Sequence, residues 1–131
     1  MPNEPRRKGG ILVIDDDPEL REALACVLEH EGHQVMQAPD GPSAVRMTRE
    51  LDPDLLVLDL AMPGMDGAMV LGALRRELAE VPPALLLTAG GDPQARALAL
   101  GATVGLEKPF NVPELLDAVE RHRRRTEGER S

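Results

Sequence analysis

The chain has 131 residues, enough for one domain with its own core and too few for two. Hydrophobic residues make up 42% and aromatics only 1%, Phe110 being the single example, so the chain is globular and its core must be built from Leu, Val, Ile, Ala and Met. A net charge of −8 argues against a nucleic-acid surface over most of the molecule, the single Cys26 excludes a disulfide framework within the chain, and no apolar run is long enough to be a signal or membrane segment, so a reducing, cytoplasmic setting is expected.

Residues 1–9 mix Pro, Asn, charge and Gly and read as a flexible leader. Ile11-Leu12-Val13-Ile14 is a short aliphatic run, expected as a strand, and it ends in Asp15-Asp16-Asp17. Pro18 then opens a helix at a position where its missing N–H costs nothing, with Asp17 as the cap. Leu20, Leu24, Val27 and Leu28 share one face of that helix, Cys26 is expected in the core, and Gly32 closes it. A weaker strand is expected from His33 to Ala38. Gly41-Pro42-Ser43 leads into a second helix that ends near Leu51, before Pro53.

Between Asp54 and Asp59 stand four consecutive aliphatics, too short for a helix and unbroken by polar residues, which reads as a strand buried on both faces. A Pro-Gly loop follows, then a third helix that Asp66 can cap and that runs to about Glu80, with Val70, Leu71, Leu74 and Leu78 inward. After Pro82-Pro83, Ala84-Leu85-Leu86-Leu87 forms the next strand, ending in Thr88-Ala89-Gly90. Asp92-Pro93 starts a short Ala-rich helix closed by Gly101, and a weak strand spans Thr103 to Leu106. Asn111 caps a last helix from Val112 to about Arg125, with Leu115, Val119 and His122 inward. Two basic clusters stand near the ends, Arg6-Arg7-Lys8 and Arg121 to Arg125. The second reads either as a helix C-terminus complementing its own dipole or as a contact patch for a partner. Residues 126–131 read as a flexible tail, leaving residues 10–125 as the domain.

Strand and helix alternate five times, which demands a parallel sheet with helices on both faces, because each crossover is a right-handed βαβ unit. In this length the pattern suits an α/β, flavodoxin-like, doubly wound sheet of five strands in the order 2-1-3-4-5 with five helices. The first and third strands are then neighbours, and Asp15, Asp16 and Asp59 converge on one crevice at their carboxyl edges. Taken alone, Asp59 could merely end its strand; the convergence favours a reactive role.

Three carboxylates at one edge repel each other and need a counter-charge. Lys108 supplies one if Glu107-Lys108-Pro109-Phe110 folds over the same edge. Hard oxygen ligands in this number suit Mg²⁺, which favours carboxylates, waters and phosphate oxygens, so a phosphoryl group is the natural substrate. Asp59 has the placing of a nucleophile that carries it as an acyl phosphate, with Thr88 donating a hydroxyl hydrogen bond. A cation about 4 Å away at an effective dielectric near 20 is worth roughly 4 kcal/mol, enough for loaded and empty states to prefer different loop positions.

These residues carry a resemblance. Leu-Val-Ile-Asp15-Asp16-Asp17-Pro, Leu-Asp59-Leu-Ala-Met-Pro63-Gly-Met-Asp66-Gly67, Leu-Thr88-Ala89 and Lys108-Pro109-Phe110 stand in an order and at separations that resemble the receiver domains of two-component response regulators, over about Gly10 to Arg124. The length is similar to the single-domain chemotaxis regulator. The resemblance implies that Asp59 is the phosphoacceptor and that the donor is a phosphohistidine on a histidine kinase or histidine phosphotransfer protein. It implies that Asp16 binds Mg²⁺ directly, Asp15 mainly through water, and the main-chain carbonyl of Ala61 completes the protein ligands. Thr88 and Lys108 would contact the phosphoryl group, and the Lys108–Pro109 bond would be cis. Asp17 needs no metal role beyond its cap.

The chain departs from the family pattern at Gly105, where receivers usually place Tyr or Phe as a rotamer switch. The loop Ala89-Gly90-Gly91-Asp92 is expected to move as a backbone unit instead, which hydrogen exchange with and without beryllofluoride tests. Ala61 and Gly90, at positions that tune loss of the phosphoryl group in the family, bring neither bulk nor a polar group. Three other readings compete. A pseudo-receiver would bind an unidentified downstream protein without phosphorylation, although all five key residues are retained. A phosphohydrolase would want a second carboxylate two residues after the nucleophile, where Ala61 stands, so no enzyme acting on a separate substrate is expected. A flavin protein would want aromatic stacking residues. No helix-turn-helix or catalytic output segment follows Arg125 in this sequence, so the expectation is either output through protein contacts or a chain that is a piece of a larger regulator.

Overall fold

The computed structural model describes residues 9–125. In chain order it comprises β1 (Ile11–Ile14), α1 (Pro18–His30), β2 (Val35–Ala38), α2 (Gly41–Leu51), β3 (Leu55–Asp59), α3 (Gly67–Glu77), β4 (Ala84–Thr88), α4 (Pro93–Leu100), β5 (Val104–Glu107) and α5 (Val112–His122). All pairings are parallel and the order is β2-β1-β3-β4-β5, the doubly wound arrangement that the alternation predicts.

The aliphatic runs become strands because both of their faces are covered. Leu12, Ile14, Leu56, Leu58 and Leu86 pack on one side with Ala44 and Val45 of α2, Val70, Leu71 and Leu74 of α3 and Ala97 of α4. Ile11, Val13, Leu55, Val57, Leu85 and Leu87 pack on the other with Leu24 and Leu28 of α1 and Leu115 and Val119 of α5. Each such side chain taken fully from water contributes about 1.5–3 kcal/mol. Each helix starts at an Asx cap: Asp17, Asp40, Asp66, Asp92 and Asn111 accept main-chain N–H groups of the first turn, and Asn111 forms a capping box with Glu114. A cap of this kind is worth about 1 kcal/mol.

Several expectations need correction. Cys26 is exposed, not core. The inward residues of α1 are Leu24, Ala25 and Leu28, and Cys26, one step on from Ala25, is rotated outward. Helix α3 stops at Glu77 rather than near Glu80. Leu78 turns extended, and Leu78 and Val81 pack against the core on the way to Pro82, where a helical residue before proline is disfavoured. Helix α5 stops at His122 because Arg124 is drawn away, its N–H donating to the Asp54 carbonyl at 2.8 Å. The edge strands are β2 at 35–38, shorter than expected, and β5 at 104–107, one residue later than expected. The arginine-rich end is engaged within the fold: Arg121 pairs with Asp117, Arg123 and Arg125 with Glu120, and Arg124 with Asp52 and Asp54. Arg6-Arg7-Lys8 lies outside the described residues. Among the described residues no helix is long and apolar enough to cross a membrane.

Candidate functional site

The sheet register assembles the site. Ile14 pairs with Leu58, so Asp15 and Asp59 emerge side by side one residue further on. Asp59 pairs with Leu87, which sets Thr88 beside it, and the N–H of Lys108 donates to the Thr88 carbonyl at 2.7 Å. Lys108 then reaches back across the strand ends, its Nζ donating to Asp59 Oδ1 at 3.1 Å. The same oxygen accepts the Ala61 N–H at 3.3 Å. The loop after β3 closes on itself through the Gly67 N–H and the Leu60 carbonyl at 2.9 Å. A Cβ on Gly67 would lie 2.9 Å from the Asp59 carbonyl oxygen, so only glycine lets α3 start this close under the strand end. Met62, in the loop after β3, is buried in the core, as expected of a methionine in an aromatic-poor chain, and Met65 packs against the same cluster.

Asp15, Asp16 and Asp59 each offer a carboxylate oxygen within 4.8 Å of the others. At an effective dielectric near 20 each such pair repels by about 3 kcal/mol. Asp15 is buried: Oδ1 accepts the Asp17 N–H at 2.9 Å, while Oδ2 is buried with no hydrogen-bond partner among the described residues. Burial pushes the Asp15 carboxyl above its ordinary range, and the neighbouring Asp59 and Asp16 add to this against the Asp17 N–H and Lys108. The Thr88 hydroxyl is likewise buried without a partner. Asp16, by contrast, is exposed. An orphaned carboxylate oxygen among three converging carboxylates is a hard, all-oxygen donor set that fits a small divalent cation such as Mg²⁺, with an open side for waters and a phosphoryl group.

The sequence profile described as "Response regulator receiver domain" matches residues 11–120. The chain belongs to this family. The receiver is 43% identical over 121 residues to the "DNA-binding response regulator MtrA" of Mycolicibacterium smegmatis, covering 91% of this chain and 52% of that protein. It is 41% identical over 108 residues to the "Transcriptional regulatory protein KdpE" of Mycobacterium tuberculosis H37Rv, covering 81% of this chain and 47% of that protein. The receiver thus spans about half the length of the curated relatives it matches. Among solved structures, Vibrio cholerae chemotaxis protein CheY4 superposes with a TM-score of 0.79 at 31% identity, covering 87% of this chain and 98% of that one. A signal receiver domain from Bermanella marisrubri gives 0.76 at 35%, covering 86% and 95%.

Asp15, Asp16, Asp59, Thr88 and Lys108 therefore meet at one sheet edge, and Ala61 stands exposed on the loop above it. Asp17 stands outside the carboxylate cluster and caps α1 through the N–H groups of Glu19 and Leu20. The Lys108–Pro109 bond is cis, as the resemblance implies. At Gly105 the receiver does something the sequence does not announce. A Cβ built there would overlap the Pro93 carbonyl oxygen, so the first turn of α4 rests directly on the β5 backbone, and the Gly105 N–H donates to Gln94 Oε1 at 3.2 Å. Two further residues escape sequence reasoning: Arg21 donates to the Asp15 carbonyl at 2.9 Å and to Gln37 Oε1 at 3.1 Å. An arginine on a helix and a glutamine on an edge strand, 16 residues apart, carry no motif that joins them.

Proposed function

We propose that this receiver takes a phosphoryl group onto Asp59 from a phosphohistidine on a histidine kinase or histidine phosphotransfer protein, in the cytoplasm, and signals through altered contacts with a downstream protein. Mg²⁺ would be held by Asp15, Asp16, Asp59 and the main-chain carbonyl of Ala61. The observation that carries this reading is Asp59 itself: a carboxylate 4% exposed, with Lys108 Nζ at 3.1 Å and two further carboxylates within 4.8 Å. A carboxylate oxygen of Asp59 forms a bond to phosphorus as the donor's P–N bond breaks. The imidazole leaves with the electron pair and takes a proton from solvent. Lys108 and the Thr88 hydroxyl would donate to phosphoryl oxygens, and such positioning and neutralisation is most of what phosphoryl transfer needs. When bound, the cation supplies charge neutralisation at those oxygens. Asp59 is the only substrate of its own chemistry, so turnover of a separate substrate forms no part of the proposal.

Incubation with acetyl phosphate and Mg²⁺ tests it by intact mass. The expected result is a gain of one phosphoryl group, lost with EDTA and lost in Asp59→Asn. Equal labelling of Asp59→Asn would assign the acceptor elsewhere. A folded parent that gains no mass would instead favour the phosphorylation-independent interaction module.

A further inference from the structure

The Asp15 carbonyl belongs to the peptide unit that joins the two adjacent metal-site carboxylates. Its orientation governs how Asp15 turns inward, 1% exposed, while Asp16 stays at the surface. This short turn is held at three points. The Asp15 N–H donates to the Ala38 carbonyl at 3.2 Å, the Asp17 N–H donates to Asp15 Oδ1 at 2.9 Å, and Arg21 Nη1 donates to the Asp15 carbonyl at 2.9 Å. The first two are local or belong to the β1–β2 edge. The third is a long side chain reaching back from the first turn of α1, and it is itself aimed, because Nε of the same guanidinium donates to Gln37 Oε1 on β2 at 3.1 Å. A planar guanidinium held through one of its donors presents the others in fixed directions, which a flexible ammonium does not. Arg21 makes no ion pair with Asp15, Asp16 or Asp59 among the described residues; the cation paired to Asp59 is Lys108. Its route to the site runs through the main chain.

We infer that Arg21, oriented by Gln37, is a positioning residue for divalent-cation binding: it locks the Asp15–Asp16 peptide so that both carboxylates meet Asp59 at one point. The inference rests on the proposed reading of the site as a Mg²⁺-dependent phosphoacceptor. It makes a prediction of unusual sign. Removing a positive charge from the neighbourhood of a cation site, if field were all that mattered, would tighten binding. Removing a positioning group weakens it, and outer-shell partners of metal ligands typically account for about 10–100-fold in affinity.

The experiment is a Mg²⁺ titration of the full chain followed by two-dimensional amide NMR, which reports affinity from shift changes and the integrity of the fold from the EDTA spectrum. Arg21→Met is expected to weaken Mg²⁺ binding about tenfold. Arg21→Lys, which keeps the charge but not the fork, should also weaken it. Gln37→Met, which changes no charge, should weaken it in the same direction by less, and it decides the matter if Arg21→Met loses its native spectrum in EDTA. Parent-like or tighter binding by a folded Arg21→Met, or parent-like binding by Gln37→Met, overturns the inference. A parent that shows no saturable Mg²⁺ shifts removes the reading of the site, and this inference with it, a result distinct from a parent that binds and variants that bind equally well.

Discussion

Asp15 sets burial against chemistry more sharply than any other described residue. One oxygen accepts the Asp17 N–H, the other is buried without a partner, and two more carboxylates stand nearby. Asp15→Asn keeps an acceptor for the Asp17 N–H, removes the repulsion and turns an amide donor toward the neighbouring carboxylates, so the metal-free protein should gain about 1–2 kcal/mol at pH 7. The sign with pH follows from the direction of its shift. A carboxyl whose folded value is raised above the ordinary 3.8 gives its full contribution to stability below that value and loses it as pH rises through the folded one. The advantage of the variant should therefore be largest at neutral pH and close as pH approaches 3.8. Urea titrations in EDTA at a series of pH values measure this, and a variant less stable than the parent at pH 7 would contradict it. Asp15, Asp59 and Thr88 were legible as candidate site residues because each ends, or directly follows, a strand run that the sequence displays as aliphatic, and Lys108 because three converging carboxylates call for a counter-charge. Arg21 and Gln37 were not, since long side chains reaching across elements leave no periodic trace.

Helix α4 is clamped at both ends, and its clamps are of unlike kinds. Its first turn lies on Gly105, with Gln94 accepting the Gly105 N–H, and its last turn is held by Arg75 of α3, whose Nη1 donates to the Leu100 carbonyl at 2.9 Å. Where receivers usually carry an aromatic ring, this one carries helix backbone. Gly105→Ala places a methyl group into the Pro93 carbonyl, and the first turn of α4 or the β5 edge must shift to admit it. Overpacking of this kind typically costs about 1–3 kcal/mol. Urea unfolding should show that loss, and amide exchange should quicken in α4 while β1 and β3 keep their protection; unchanged stability would mean that α4 yields without cost. At this scale the sequence displayed β1, β3 and β4 fully, because a strand covered on both faces must be apolar throughout. It displayed β2 and β5 only faintly, because edge strands bury fewer of their residues. The absent aromatic was readable at Gly105, but the helix turn that occupies its place was not, since contact between α4 and β5 is set by the closure of the whole sheet.

Across the described fold, the carboxyl edge of the sheet gathers the candidate site and the opposite edge ties the chain together. There Arg124 Nη2 donates to the Pro53 carbonyl at 2.8 Å, the Asp52 carbonyl at 3.2 Å and Asp52 Oδ1 at 2.9 Å. Asp52 ends α2 in the left-handed conformation, φ 47°, a geometry of order 1–2 kcal/mol above the ordinary one for a residue with a side chain, although Asp tolerates it better than most. Arg124 thus holds a strained turn at the entry to β3 from the far end of the chain. The other arginines of the cluster do less. Arg121 pairs with Asp117 on the surface of its own helix, an interaction of about 0.3–0.5 kcal/mol. Arg123 and Arg125 hold the Glu120 carboxyl down to about 2, so its contribution is present above 4.5 and fades as pH falls toward 2, and solvent keeps it small. Arg124→Ala should therefore cost about 1–3 kcal/mol by urea unfolding and Arg121→Ala less than about 0.5. Neither should alter Mg²⁺ affinity, because Asp59 lies the length of β3, about 16 Å, from the turn that Arg124 secures. If the two variants lost equal stability, the arginine-rich end would be an undifferentiated solvated face. If Arg124→Ala weakened Mg²⁺ binding as well, the two edges of the sheet would be coupled through β3, whose burial along its whole length and pairing on both sides would then transmit the strain.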